Sequence, residues 1–190
     1  MLVLASSSPR RRQLLEMLGI PHRVDRSDVP EIPDPGEPAE RFAVRLAREK
    51  AQQVAARHPG EPVLGADTVV VLGQRLMGKP TSPSDAARML KELAGREHRV
   101  VTAIALARDG DVQDRCDVTR VWFRPLTADT IEAYVGTGEP LDKAGAYGVQ
   151  GYGAVLVDRI EGDFFGVMGL PVRLVIELLE AAGFPYRFTR

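Results

Sequence analysis

Seven consecutive residues, Ser6-Ser7-Ser8-Pro9-Arg10-Arg11-Arg12, separate the apolar run Leu2-Val3-Leu4-Ala5 from a helical pattern over Gln13 to Leu18. The reading is strand, tight turn, helix start. Pro9 suits a first helical position, but three arginines in a first turn oppose the helix dipole, each at a cost of ~0.3–1 kcal/mol. An anion would offset that cost. Backbone N–H groups at a helix start, serine hydroxyls and guanidinium forks together suit a polyphosphate. Arg12 has a plainer role open to it, an ion pair with Glu16 one turn on.

Four further places carry chemistry-bearing residues. Asp67 interrupts the strand-like run Pro62 to Leu72, which has the apolar character of a strand buried on both faces. A carboxylate there must be paired, protonated or bound to a cation, unless it is a turn or capping aspartate. Lys50 falls on the apolar stripe of a helix, where it either snorkels to the edge or reaches into a site. Gly73 to Lys79 has the spacing of a phosphate-binding P-loop, yet Pro80 follows where that motif needs Ser or Thr and a helix start. Lys79 therefore meets phosphate, if at all, through another architecture. Finally, Leu141 to Gly153 sets Asp142, Lys143 and Gln150 among glycines that let backbone approach a ligand closely.

Serine-nucleophile elbows, Cys–His pairs and HExxH helices are absent from the sequence. Carboxylates, arginines, lysines and glycines remain. That set suits metal-assisted attack of water on a phosphoanhydride: hard oxygens hold Mg²⁺ or Mn²⁺, cationic side chains neutralise phosphate, and a carboxylate orients or deprotonates water.

The elements that must position these groups follow from periodicity and capping. Val29 to Pro38 reads as a proline-rich acidic loop, and about Ala39 to Arg57 as a helix with Phe42, Ala43, Leu46, Ala47 and Val54 on one face. Ser82, with Pro83 and Asp85 after it, caps a helix that runs to Leu93 and stops at Gly95. His98 to Arg108 and Asp111 to Arg124 pair through the hairpin signal Asp109-Gly110. Thr127 opens a short helix ending near Val135. A strand is expected over Ala154 to Ile160, a turn at Glu161-Gly162-Asp163, a β run through Val167, and a helix from Pro171 to Ala182 closed by Gly183. Strands and helices mix without strict alternation, so the fold class is α/β with a mixed sheet.

The 190 residues fit one domain, or one domain with a small lobe. A net charge of −1 argues against a general nucleic-acid binder. Cys116 is the only cysteine, and His22, His58 and His98 lack metal-ligand spacing. No apolar run approaches membrane-spanning length, and the expected location is the cytoplasm. Of 25 basic residues only four are lysine, at positions 50, 79, 91 and 143, so the survivors mark places where a compact ammonium is needed.

Leu4-Ala5-Ser6-Ser7-Ser8-Pro9-Arg10-Arg11, Leu64-Gly65-Ala66-Asp67-Thr68, Gly78-Lys79-Pro80 and Asp142 to Gly151 together resemble the Maf family of nucleoside triphosphate pyrophosphatases, in order and over almost the whole chain. The resemblance implies a single domain over 1–190, related to the inosine triphosphate pyrophosphatases: an elongated α/β fold with a mixed sheet, flanking helices and two lobes around a cleft. It implies hydrolysis between the α and β phosphates, with a divalent cation, to a nucleoside monophosphate and pyrophosphate. Asp67 matches the proton acceptor, and Arg10, Thr68 and Gln150 the positions that set base specificity. Ser6, Arg11, Lys50 and Lys79 match residues of the phosphate and metal region, with Glu31 an acidic partner and Glu31 and Asp67 the metal ligands. Gly-Ala-Asp-Thr with Gly-Val-Gln-Gly resembles the subgroup acting on dTTP and UTP. A homodimer with a small-molecule nucleotide substrate, and neither nucleic acid nor membrane as partner, completes the expectation. The alternatives are a nucleotide-sensing regulator of cell division and a pyrophosphatase for inosine or xanthosine triphosphate.

Overall fold

The structure, a computed structural model, describes residues 1–188. Its strands are β1 (Leu2–Leu4), β2 (His22–Val24), β3 (Val63–Leu72), β4 (Arg75–Met77), β5 (Glu97–Arg108), β6 (Asp111–Phe123) and β7 (Val157–Glu161). They form one seven-stranded sheet in the order β2-β1-β3-β5-β6-β7, with β4 pairing to β3. The sheet is mixed, as expected: β1 runs parallel to β2 and β3, whereas β3/β4 and β6/β7 are antiparallel. The helices are α1 (Pro9–Met17), α2 (Ala39–Ala55), α3 (Pro83–Leu93), α4 (Ala128–Gly136), α5 (Phe164–Met168) and α6 (Val172–Ala181). No helix among the described residues is long and apolar enough to cross a membrane.

The chain divides into two compact units. One comprises residues 1–67, 102–117 and 169–188, and the other 68–101 and 118–168; β3, β5 and β6 each contribute residues to both. In the first unit β1, β3 and α2 meet through Val3, Ala5, Val54 and Val63. Gly65 sets how closely β3 lies on α2, since a Cβ there would stand 2.3 Å from the carbonyl oxygen of Ala47 and 2.7 Å from the amide nitrogen of Ala51. The second unit has the larger apolar cluster, including Val70, Met77, Leu90, Leu93, Phe123 and Leu156. Fully burying a side chain of this size contributes roughly 1.5–3 kcal/mol.

The caps read from the sequence form. Ser82 accepts from the Asp85 amide at 3.1 Å and Thr127 from that of Thr130 at 3.2 Å, opening α3 and α4. Four elements differ from expectation, the first being β4, a short strand within Gly73 to Lys79 that pairs back onto β3. The His22–Val24 strand carries no alternation that marks it, and its pairing with β1 creates it. The strand expected from Ala154 begins at Val157, because 3₁₀ turns extend through Gly151–Leu156. The β run expected through Val167 is α5 instead: Asp163 Oδ1 accepts from the Gly166 amide at 3.0 Å and caps it.

In the second unit His98 is buried with its Nε2 2.8 Å from the Tyr147 hydroxyl, and its ring meets Phe123 and Tyr147 edge-on. Burial lowers its pKa to about 4 and pushes the Tyr147 phenol up.

Two predictions follow from this packing. Gly65→Ala should destabilise the protein by about 2 kcal/mol or more, because backbone rather than a flexible side chain meets the new methyl; urea melts showing an unchanged midpoint would refute the close approach. For His98, the unfolded imidazole (about 6.5) takes up a proton before the folded one (about 4), so its contribution is intact above pH 6.5 and lost as the pH falls towards 4. Wild type should lose about 2 kcal/mol between pH 7 and 5 that His98→Gln does not lose; equal losses would refute the assignment.

Candidate active site

Five of the residues singled out from the sequence meet in the first unit. Lys50, in the fourth turn of α2, lies on the buried stripe with Leu46, Ala47 and Val54. Its Nζ stands 2.6 Å from Asp67 Oδ1 and 2.6 Å from Glu31 Oε1. Of the two options for a lysine on this stripe, reaching into a site is the one adopted. Lys50 and Asp67 side chains are each 7 % exposed, and Glu31 is 45 % exposed. Burial raises the Asp67 pKa above the usual carboxylate range, against the pull of Lys50 and Arg11 in the other direction.

Arg11 joins the same network from α1. Its Nη1 donates to Ser6 Oγ at 3.1 Å and to the Ala66 carbonyl at 2.9 Å, and its Nε to the Gly169 carbonyl at 2.8 Å. The guanidinium is thereby fixed between the β1–α1 turn and the strand carrying Asp67. Ser6 Oγ also accepts from the Ser8 amide at 3.2 Å, which shapes the turn. At the start of α1 the Ser8 side chain makes no capping bond and the first turn holds no acid, so the serines do not satisfy that helix end. A helix start of this kind, flanked by an immobilised arginine, favours an anion. Arg12 takes the plainer role, pairing with Glu16 at 3.3 Å on the exposed face.

The loop that carries Glu31 is pinned along one row of α2. Arg45 forks onto Glu37 at 2.8 and 2.7 Å and reaches the Ile32 carbonyl at 3.1 Å, holding the Glu37 carboxyl down to about 2. Two turns on, Gln53 Oε1 accepts from the Asp28 amide at 2.8 Å. Just past the end of α2, Arg57 grips Asp25 with two bonds of 3.0 Å and the Arg26 carbonyl at 2.8 Å. Positions 45 and 53 lie about two turns apart on α2, and Arg57 follows in the turn just after it. Sequence reasoning passed over them, although that spacing was the available signal.

The other expected site residues have different settings. Arg10 is half-buried beside Arg11 in the first turn of α1. Thr68, half-buried, follows Asp67 on β3. Lys79 is exposed beyond β4, and no helix starts there, in keeping with rejection of the P-loop. Gln150 belongs to the second unit, as do Thr68 and Lys79. Its Oε1 is out of contact with solvent and has no hydrogen-bond partner among the described residues. A buried acceptor in that state is ready for a donor from a ligand. Lys143 bonds to the Glu139 carbonyl and to Asp142, so its place in the glycine-rich segment is structural.

No group of three or more His, Cys, Asp or Glu suited to a metal occurs among the described residues. Glu31 and Asp67 nevertheless share one cation, the Lys50 ammonium, and are hard oxygen donors. Two carboxylates completed by phosphate oxygens and water are the usual holding of Mg²⁺ by a protein, so the donor set fits a hard divalent ion.

The chain is 46% identical over 187 residues to a dTTP/UTP pyrophosphatase of Halalkalibacterium halodurans, covering 98% of each chain. To proteins of the same description it is 51% identical in Myxococcus xanthus, covering 97% of this chain and 94% of that one, and 52% identical in Moorella thermoacetica, covering 96% and 95%. The fold is similar to that of the Staphylococcus aureus Ham1 protein, with a TM-score of 0.52 at 16% identity over 95% of this chain and 96% of that one. The model of the Maf-like protein family matches residues 1–182, and the chain belongs to that family.

Proposed function

We propose that this protein hydrolyses the α–β phosphoanhydride of dTTP and UTP, releasing the nucleoside monophosphate and pyrophosphate. The observation that carries the reading is the buried Asp67 carboxylate, held with Lys50, Glu31 and Arg11 in one network beside an uncapped helix start. Asp67 takes a proton from the attacking water, and a carboxyl of raised pKa suits a base working near neutrality. Arg11, with Ser6 and the first amides of α1, binds phosphate, and Lys50 and Lys79 add positive charge to it. Arg10, Thr68 and Gln150 select the base, Gln150 offering a pyrimidine edge both a donor and an acceptor. Glu31 and Asp67 would hold Mg²⁺ or Mn²⁺, which would withdraw charge from the phosphate oxygens. The substrate class comes from the relatives' descriptions together with Gly65-Ala66-Asp67-Thr68 and Gly148-Val149-Gln150-Gly151.

Incubation with dTTP or UTP and Mg²⁺ or Mn²⁺ should release equal amounts of monophosphate and pyrophosphate. Asp67→Asn should lower kcat about 10²–10⁴-fold, the usual contribution of a positioned general base, with little change in KM. No turnover of any nucleoside triphosphate, or an Asp67→Asn variant at the wild-type rate, would refute the reading. Triphosphate affinity that survives Asp67→Asn without any product would favour a sensing role.

Lys50 must also keep a buried charge tolerable. Lys50→Met should cost on the order of 3 kcal/mol in urea melts, because it strips the partner from a buried carboxylate. Adding Asp67→Asn to that variant should restore most of the loss; a single variant as stable as wild type would refute the pairing.

A further inference from the structure

The second unit contains a carboxylate outside this chemistry, Glu139, in the 3₁₀ turn Glu139–Asp142. Its Oε1 accepts from the Gly153 amide at 3.0 Å and from the Tyr134 hydroxyl at 2.9 Å, and its Oε2 accepts from the Tyr152 amide at 2.9 Å. The Tyr134 oxygen in turn accepts from the Gly148 amide at 3.2 Å. These bonds bracket Gln150: Gly148 lies two residues before it, Tyr152 and Gly153 two and three after. Partial burial works against ionisation of Glu139, yet the two amides and the phenol hold its carboxyl below the ordinary range.

The glycines of this segment are explained by the same convergence. Gly151 has φ +76°, and a Cβ on it would stand 2.5 Å from Glu139 Oε2. A Cβ on Gly153 would stand 2.2 Å from the Gly148 carbonyl oxygen and 2.6 Å from the Tyr134 hydroxyl. Backbone thus closes onto one carboxylate and one phenol with no room for side chains between. The residue between these anchored amides is Gln150, whose Oε1 is buried without a hydrogen-bond partner among the described residues.

We propose that Glu139 is the positioning residue for Gln150: its carboxylate, with Tyr134 as intermediary, fixes the backbone on both flanks so that the Gln150 amide meets the nucleobase in one orientation. This rests on the proposed reading of Gln150 as a base-selecting residue. Glu139 touches neither substrate nor reacting atoms. A glutamine at 139 keeps size but offers one acceptor oxygen where two are used, so at least one flank is released.

The test compares wild type, Glu139→Gln, Gln150→Ala and the double variant on UTP, ATP and methyl triphosphate, which has no base. Glu139→Gln should raise KM for UTP about tenfold, the effect of roughly one hydrogen bond, with kcat within about threefold. The preference for UTP over ATP should narrow by a similar factor, while turnover of methyl triphosphate stays unchanged. In the Gln150→Ala background the substitution should add less than about twofold, because its effect passes through Gln150. Backbone amide exchange at Tyr152 and Gly153 should quicken about tenfold or more. Unmoved UTP selectivity, a full additional loss on top of Gln150→Ala, an equal loss on methyl triphosphate, or unchanged exchange would each overturn the proposal. A wild type inert towards every triphosphate would overturn the activity reading instead, and amide exchange would still decide whether Glu139 anchors the segment.

Discussion

One ammonium shared by two carboxylates governs the first unit. Lys50 Nζ, 2.6 Å from both Asp67 and Glu31, is the charge without which Asp67 could not stay ionised in the middle of an apolar strand. Three separate pieces of chain must be placed to create that contact. Gly65 lets β3 approach the backbone of α2, bringing positions 50 and 67 within reach. Arg45 and Gln53 on α2, with Arg57 just past its end, draw the proline-rich loop along the helix, bringing Glu31 to the same nitrogen. Polar bonds of that kind are individually modest on an exposed face, but several spaced along one rigid helix leave a loop few alternatives.

The same logic divides labour among residues of one type. Arg11 and Arg12 are neighbours with the same side chain, yet the helix turns the first into a network of carbonyl and hydroxyl acceptors and the second towards Glu16 and solvent. Lys50 and Lys143 are both largely buried, but Lys143 satisfies a carbonyl and an adjacent aspartate while Lys50 joins groups 17 and 19 residues away. Sequence scarcity of lysine marked both positions without distinguishing these uses. Only the identity of the acceptors does so.

Much of the fold was legible because it rests on local rules. The Ser82 and Thr127 caps, the Asp109-Gly110 hairpin and the apolar run around Asp67 each carry their signal within a few residues. The misses are places where a distant partner decides. His22–Val24 becomes a strand through its pairing with β1, and Asp163, itself held by the Thr119 hydroxyl at 2.7 Å, turns an apparent β run into α5. Asp67 stood out in the sequence because a charge breaks an apolar pattern. Glu139, in a polar turn, breaks none, and its partners are backbone amides that no residue type advertises.

Asp67 and Glu139 show how surroundings assign different tasks to the same functional group. Asp67 is deeply buried and met by side-chain cations, and desolvation prevails, so its affinity for a proton rises. Glu139 is partly buried and met by backbone amides and a phenol, and hydrogen bonding prevails, so its affinity falls. A carboxylate of the first kind holds a proton more readily than a free one; one of the second kind favours its ionised form, which accepts hydrogen bonds and can serve as a fixed point for backbone. The side chains that could shift this balance are few. An added donor at Asp67 would lower its affinity for a proton, and a lost donor at Glu139 would loosen the segment it closes, so each carboxylate is tuned by the number of hydrogen bonds it is denied or granted.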